Sequence, residues 1–260
     1  MRFTIRFSRA GIRYLAIVLL LTSIVITSFV DKKVGRSKAG TGFAVVELFT
    51  SEGCSSCPPA DALVANVQNQ YHDRPVYILA YHVDYWNRLG WKDSFSSSDF
   101  TKRQRNYAAY LHSSVYTPQI VVNGKKEFVG SEAGTLHNGI EQSLQQEKPA
   151  ELTLSAAATG SDKVIVNYQT TAADKGNVLL LAVVEKSAHT KVTAGENSGR
   201  NLSHVQIVRE LLNISLSAGS KGSKGITLPE DILKQNFEVI GLIQNTTSGA
   251  IIAATNASLL

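Results

Sequence analysis

The chain has 260 residues, 18% of them charged and 43% hydrophobic, with 19 glycines, 6 prolines and two cysteines. That balance excludes intrinsic disorder and collagen-like structure, and two cysteines cannot build a disulfide scaffold. The net charge of +5 sits at one end: residues 1–38 hold eight Lys/Arg and a single acid, Asp31, so residues 39–260 carry −2. A nucleic-acid binder needs a basic stripe on its folded body, and the densest basic set here, Lys102, Arg103 and Arg105, reads as a solvated helix face. No nucleic-acid partner is expected.

At the N-terminus four arginines precede an uncharged run over 14–30, YLAIVLLLTSIVITSFV. Arginine before and hydrocarbon after is the pattern of an export signal or a retained membrane anchor, and both readings stand. Either one puts the body outside the cytoplasm, in the periplasm or secreted, with membrane contact only through this segment. Residues 1–42 are therefore leader plus a Gly- and Lys-rich tether.

Residues 43–50, FAVVELFT, read as a buried strand. A loop follows over 51–57, and Pro58-Pro59 opens a helix over 59–71, since proline fits a first helical turn. Its apolar stripe is Leu63, Val67 and Tyr71. Residues 76–83 form a second strand, and Asp99 caps a helix over 100–111. A short strand over 119–122 turns at Asn123-Gly124 into 127–129, the strongest short hairpin signal in the chain. A helix over 132–146 closes the set. The order β-α-β-α-β-β-α is that of thioredoxin-like proteins.

Both cysteines lie between the first strand and first helix, in Glu52-Gly53-Cys54-Ser55-Ser56-Cys57. This position puts Cys54 at the mouth of a helix N-terminus, where unpaired N–H groups and the helix dipole favour a thiolate. Cys57 is then close enough to resolve a mixed disulfide on Cys54. The reading requires one sulfur to be reachable from solvent. A structural Cys54–Cys57 staple, an inert buried pair and half of a zinc site remain alternatives, though a loop this small restrains the unfolded chain little. Tyr116-Thr117-Pro118 precedes the third strand, and a cis peptide bond there would expose the Thr117 backbone to an extended substrate.

The runs VVELFTSEGCSSCPPADALV, YHVDYWNRLGWKDSFSS, QRNYA and SVYTPQIVVNG, with GENSGRNLSHVQIVREL further on, resemble a family of exported bacterial thioredoxin-like proteins known as domain of unknown function 1223. The resemblance spans nearly everything after the tether. It implies an α/β thioredoxin-like domain over 43–148 followed by a separate all-β, sandwich-like domain over 149–260. It also implies Cys54 as attacking thiol, Cys57 as resolving thiol and Pro118 as a cis-proline. Ser55-Ser56 departs from the dipeptides of strongly oxidising relatives, and Glu52 opposes thiolate formation, so reductase or isomerase activity is favoured.

In such a fold the end of the second strand lies near the cysteines. His82, Asp84 and Glu52 are the expected proton-transfer groups, Tyr85, Trp86 and Trp91 the expected lining of a substrate groove, and Tyr116, Thr117 and Pro118 further expected substrate contacts. Cys54, Cys57 and His82 also make a soft donor set suited to copper(I), the alternative metal reading.

After 149 short strands are expected over 151–158, 163–170, 177–185, 205–216, 237–244 and 250–255, with GSKGSKG at 219–225 as a flexible turn. Glu196, Asn197, Arg200 and His204 are polar enough to form a site or to brace two domains. No dinucleotide loop, P-loop or hydrolase motif is present. The expectation is an extracytoplasmic thiol–disulfide oxidoreductase that needs no cofactor, acting on a protein or peptide disulfide with an unidentified reductant or oxidant. A copper(I) carrier and a non-catalytic interaction module are the alternatives.

Overall fold

The computed structural model describes residues 42–160, 162–216, 220–229 and 236–257; the segment over 14–30 lies outside them. The first strand, β1 (Ala44–Thr50), is buried along its whole length. It is covered on both faces, which is why it reads as a continuous apolar run instead of an alternating one. β2 (Val76–His82) pairs with it in parallel, from Ala44 opposite Val76 to Thr50 opposite His82. The crossover between them carries α1 (Pro58–Gln70), which begins on the two prolines. β3 (Gln119–Val122) lies antiparallel on the other edge of β1, and β4 (Lys126–Val129) follows through Asn123 and Gly124, both at positive φ. Positive φ at two successive positions is what an Asn-Gly hairpin supplies. The Asn123 side chain also reaches β1, accepting from Val45 N at 2.6 Å. α2 (Ser98–Leu111) is capped by the Ser97 hydroxyl, and α3 (Ala133–Leu144) ends the first half.

The second half is built of β5 (Leu152–Ala158), β6 (Lys163–Thr170), β7 (Asn177–Lys191), β8 (Asn201–Ser215), β9 (Lys221–Thr227), β10 (Phe237–Asn245) and β11 (Ile251–Ala257). Four of these strands join the first half in one eight-stranded mixed sheet, in the order β11-β10-β7-β8-β2-β1-β3-β4. The seam is a parallel contact between β2 and β8, with Ala80 opposite Ile207. This corrects the expectation of an α/β thioredoxin-like domain followed by a separate all-β domain: described residues on both sides of 148 share a sheet and a core. One apolar cluster contains Phe49, Tyr81, Phe100 and Tyr107 together with Leu180, Ala182, Val208 and Leu242. Burying each of these large side chains contributes roughly 1.5–3 kcal/mol. The described residues within 40–260 belong to one compact unit.

On the β7 and β10 portion, a three-stranded sheet, β5-β6-β9, packs Leu152, Val164, Val166 and Ile226 against Leu181, Val183, Val239 and Ile243. The stretch expected as a flexible turn is largely β9, paired with β6 from Lys163 opposite Thr227. Gly222 lies against Tyr168: a Cβ there would fall 2.4 Å from the Tyr168 hydroxyl oxygen, so a larger residue would displace that ring.

The basic set on α2 is also not uniformly solvated. Arg103 is buried and bonds Glu47, at the centre of β1, through Nε at 2.7 Å. Its Nη2 donates to the Tyr107 hydroxyl and Nη1 to Gln244 on β10, while Tyr107 donates to the second Glu47 oxygen. The network binds α2 to strands from both halves. Truncating one member of a buried ion pair leaves the other charge uncompensated. Arg103→Ala is expected to lose about 3–5 kcal/mol in urea unfolding, whereas Lys102→Ala, at an exposed position one residue away, stays within about 0.5 kcal/mol of the native protein.

Candidate functional site

Where β1 ends, a tight loop over 51–57 leads into α1. Cys54 N bonds Ser51 O at 3.1 Å, Cys57 N bonds Cys54 O at 3.2 Å, and Ala60 N and Asp61 N both bond Cys57 O. Cys57 is thus the N-cap of α1, with Cys54 just outside the helix mouth. The two form a disulfide with Cα atoms 5.4 Å apart. Ser55 and Ser56 are exposed, and the Ser56 hydroxyl lies 3.4 Å from Cys54 Sγ. Neither cysteine has any solvent exposure, which departs from the expectation of a reachable sulfur. Neither belongs to the three apolar clusters of the core, however.

The turn between β7 and β8 bonds the backbone of the motif. Asn197, itself fully buried, donates from Nδ2 to Glu52 O at 2.8 Å and to Cys54 O at 2.9 Å. Glu196 accepts from Ser55 N at 3.0 Å, and Arg200 donates to Asn197 Oδ1. The polarity of Glu196, Asn197 and Arg200 is legible in the sequence, but the motif backbone that Glu196 and Asn197 bond is not.

The peptide bond between Thr117 and Pro118 is cis, as expected. Trp86 joins this segment to the motif: its Nε1 donates to Thr117 Oγ1 at 2.8 Å, and its Cβ packs against Gly53. Trp91 Nε1 donates to Glu52 Oε2 at 2.7 Å. Both tryptophans therefore brace the motif loop. Tyr116 is half-buried, and its hydroxyl donates to Glu127 on β4. Asp84 accepts from the Thr101 hydroxyl and serves to anchor α2.

Below the loop lies a buried group of ionisable side chains. His82, at the end of β2, donates from Nδ1 to Asp93 Oδ2 at 2.7 Å, and the same Asp93 oxygen accepts from Glu52 N. His204 Nε2, from β8, lies 3.5 Å from Glu52 Oε1, and the two imidazole rings meet edge to face at 4.9 Å. His82 Nε2, both His204 nitrogens and Glu52 Oε1 have no hydrogen-bond partner among the described residues. Asp61, one turn into α1, accepts from the Thr50 hydroxyl at 3.3 Å. Of this group His82 and Glu52 are expected from the sequence as proton-transfer groups, and His204 as one of a polar set with Glu196, Asn197 and Arg200; Asp93 and Asp61 carry no spacing signal.

Burial pushes the Asp61 carboxyl up to about 6, against the opposing pull of His204, His82 and the Thr50 hydroxyl. For His82, burial disfavours the cation, but the charge and hydrogen bond of Asp93, with Asp61 and Glu52, outweigh it and raise the pKa. Asp93 is correspondingly lowered: burial opposes its charge, and His82 with the N–H groups of Glu52 and Phe95 overcomes that. No group of three or more His, Cys, Asp or Glu among the described residues is arranged to hold a metal ion.

A family model described as a protein of unknown function, DUF1223, matches residues 45–244. The solved structure of protein AGR_C_4864 from Agrobacterium tumefaciens is similar at a TM-score of 0.63 and 29% identity, over 84% of this chain and 94% of that one. HBP35 of Porphyromonas gingivalis shares the fold at a TM-score of 0.60 and 18% identity, over 85% of this chain and 76% of its own. No curated protein matches.

The raised Asp61 has a measurable consequence. Folded Asp61 holds its proton more tightly than the unfolded chain, so its contribution to stability falls as pH rises from about 4 to about 6 and stays unfavourable above that. Asp61→Asn keeps the shape and removes the charge. In urea unfolding the variant is expected to match the native protein near pH 4 and to exceed it by roughly 2–3 kcal/mol at pH 7. A difference that is flat with pH would contradict this titration.

Proposed function

The chain belongs to the DUF1223 family, whose description assigns no activity, and we propose that it is an extracytoplasmic thiol–disulfide oxidoreductase acting on protein or peptide disulfides through Cys54 and Cys57. The observation that carries this reading is the closed disulfide at the mouth of α1. A helix N-terminus favours the thiolate form of a cysteine placed there, and the thiolate is the species that exchanges. The location rests on the arginine-flanked apolar run over 14–30 and on the disulfide itself, a bond that persists in oxidising compartments.

In the reduced chain, Cys54 thiolate attacks one sulfur of a substrate disulfide. The Cys54–substrate bond forms, the substrate S–S bond breaks, and its electron pair leaves on the second substrate sulfur, which takes a proton. Cys57 thiolate then attacks Cys54 Sγ, restoring the Cys54–Cys57 bond and releasing the first substrate sulfur as a thiol. The substrate gains two electrons and the chain's dithiol loses them. Run backwards, the same steps oxidise a dithiol, and the relative reduction potentials set the direction.

Glu52 and His82, with Asp61, Asp93 and His204 around them, are the groups that hold or move the protons behind the sulfurs. Asp61 serves this best, because its pKa near 6 leaves both protonation states populated around that pH. Thr117 and Trp86, half-buried and bonded to each other, border the motif loop and are the side chains an extended substrate would meet. Expressed in bacteria and alkylated before lysis, a Cys57→Ser chain is expected to accumulate mixed disulfides with other proteins on non-reducing gels. The Cys54→Ser chain should show none. If Cys57→Ser traps nothing, including after a disulfide-inducing oxidant, the oxidoreductase assignment is wrong.

A further inference from the structure

On the premise that Cys54–Cys57 exchanges with thiols, we infer that the turn over 192–200 is an internal stand-in for substrate, covering the disulfide until an extended peptide segment displaces it. Three backbone groups of the motif carry the inference. Glu52 O and Cys54 O both accept from Asn197, and Ser55 N donates to Glu196. Acceptors and a donor along one short stretch are the pattern by which an extended chain is gripped, main chain to main chain. Here side chains of the same molecule satisfy that pattern.

The cover is small and local. Its backbone closes on itself through Val192 N to Arg200 O, Gly199 N to Val192 O and Ser198 N to Gly195 O, with Gly195 and Gly199 at positive φ. Val192 and Asn197 are buried, Ala194 is half-buried, and the other residues of the turn face solvent. Hydrogen bonds from Ser55 hold the exposed Glu196 carboxyl below the usual carboxylate range. Both cysteines are nevertheless fully sealed. Exchange needs a nucleophile in line with the S–S bond, so the cover must move before any reaction occurs. A peptide can replace each hydrogen bond as the turn leaves; a small thiol cannot.

The reaction that reports this is reduction of the chain's own disulfide. An incoming thiolate bonds to Cys54 Sγ, the Cys54–Cys57 bond breaks, and the electron pair leaves on Cys57, which takes a proton. Rates are measured on the full chain by alkylation of released thiol and intact mass. The nucleophiles are N-acetylcysteine amide and a short extended peptide carrying one cysteine of the same thiol pKa. The native chain is expected to react faster with the peptide. Asn197→Ala should accelerate the small thiol roughly tenfold, from two lost hydrogen bonds, and narrow the peptide's advantage.

Glu196→Ala changes an exposed side chain and should accelerate the small thiol about two- to threefold; it decides the question should Asn197→Ala not fold. Unchanged small-thiol rates in the folded variants would overturn the cover. Equal native rates for the two nucleophiles would overturn the peptide assignment. Acceleration in the variants together with no trapped partners in Cys57→Ser chains would leave the cover standing and remove the oxidoreductase reading.

Discussion

Ala80 of β2 lies opposite Ile207 of β8, and the surroundings of the cysteines depend on that one parallel register. It fuses two sets of strands that are built from different segments of the chain. Because β8 is held against β2, His204 comes within ring contact of His82, and the turn that leads into β8 comes down on the motif loop. A molecule in which the second half folded apart would keep β1, the motif and α1. It would lose the imidazole opposite Glu52 and the amide that bridges Glu52 O and Cys54 O. The arrangement around the disulfide is thus a property of the whole sheet.

The buried ionisable group makes sense in those terms. Removing a charge from water costs several kcal/mol unless partners return it. Two imidazoles and three carboxylates gathered in one place offset one another, and Asp93 illustrates how: it accepts from His82, from Glu52 N and from Phe95 N. The offset is incomplete. Asp61 retains its proton up to about pH 6, and several nitrogens and one oxygen of the group have no hydrogen-bond partner among the described residues. An interior built only for stability would close with hydrocarbon, as the Glu47–Arg103 network is closed by the rings of Tyr81 and Tyr107. Groups left able to gain or lose a proton suit a neighbour whose bond consumes protons when it breaks.

The short-range features were legible in the residues, and the long-range ones were not. The strand, CxxC and helix order and the Asn-Gly hairpin depend on neighbours a few residues apart, which local propensity governs, whereas the cis bond before Pro118 is legible only when that segment is paired with the CxxC far upstream. β7 and β8 were read as shorter sandwich strands because an apolar strand of either face pattern does not name its partner. The edge that β8 joins is chosen by packing between segments more than a hundred residues apart. Asp93 and Asp61 show no pattern for the same reason, each being an isolated polar residue in its own segment, and His204, which the sequence groups with Glu196, Asn197 and Arg200, meets Glu52 and His82 only in three dimensions. Tyr116 and Asp84 have hydrogen-bond partners, Glu127 and Thr101, that lie in other segments of the chain and carry no signal in the sequence.

A sealed disulfide would ordinarily argue for a structural staple. Two observations turn the argument. A loop as short as Cys54 to Cys57 restrains an unfolded chain only weakly, so a staple there contributes little. The cysteines are buried, but exposed Ser55 and Ser56 lie between them and the Asn197 amide is bonded to the backbone on either side of Gly53. Packed hydrocarbon opens only with the fold, but hydrogen bonds to a surface turn can be exchanged one for one with water or with another chain. The proposed displacement of the turn over 192–200 would break hydrogen bonds to the motif backbone and leave β1, α1 and the sheet in place.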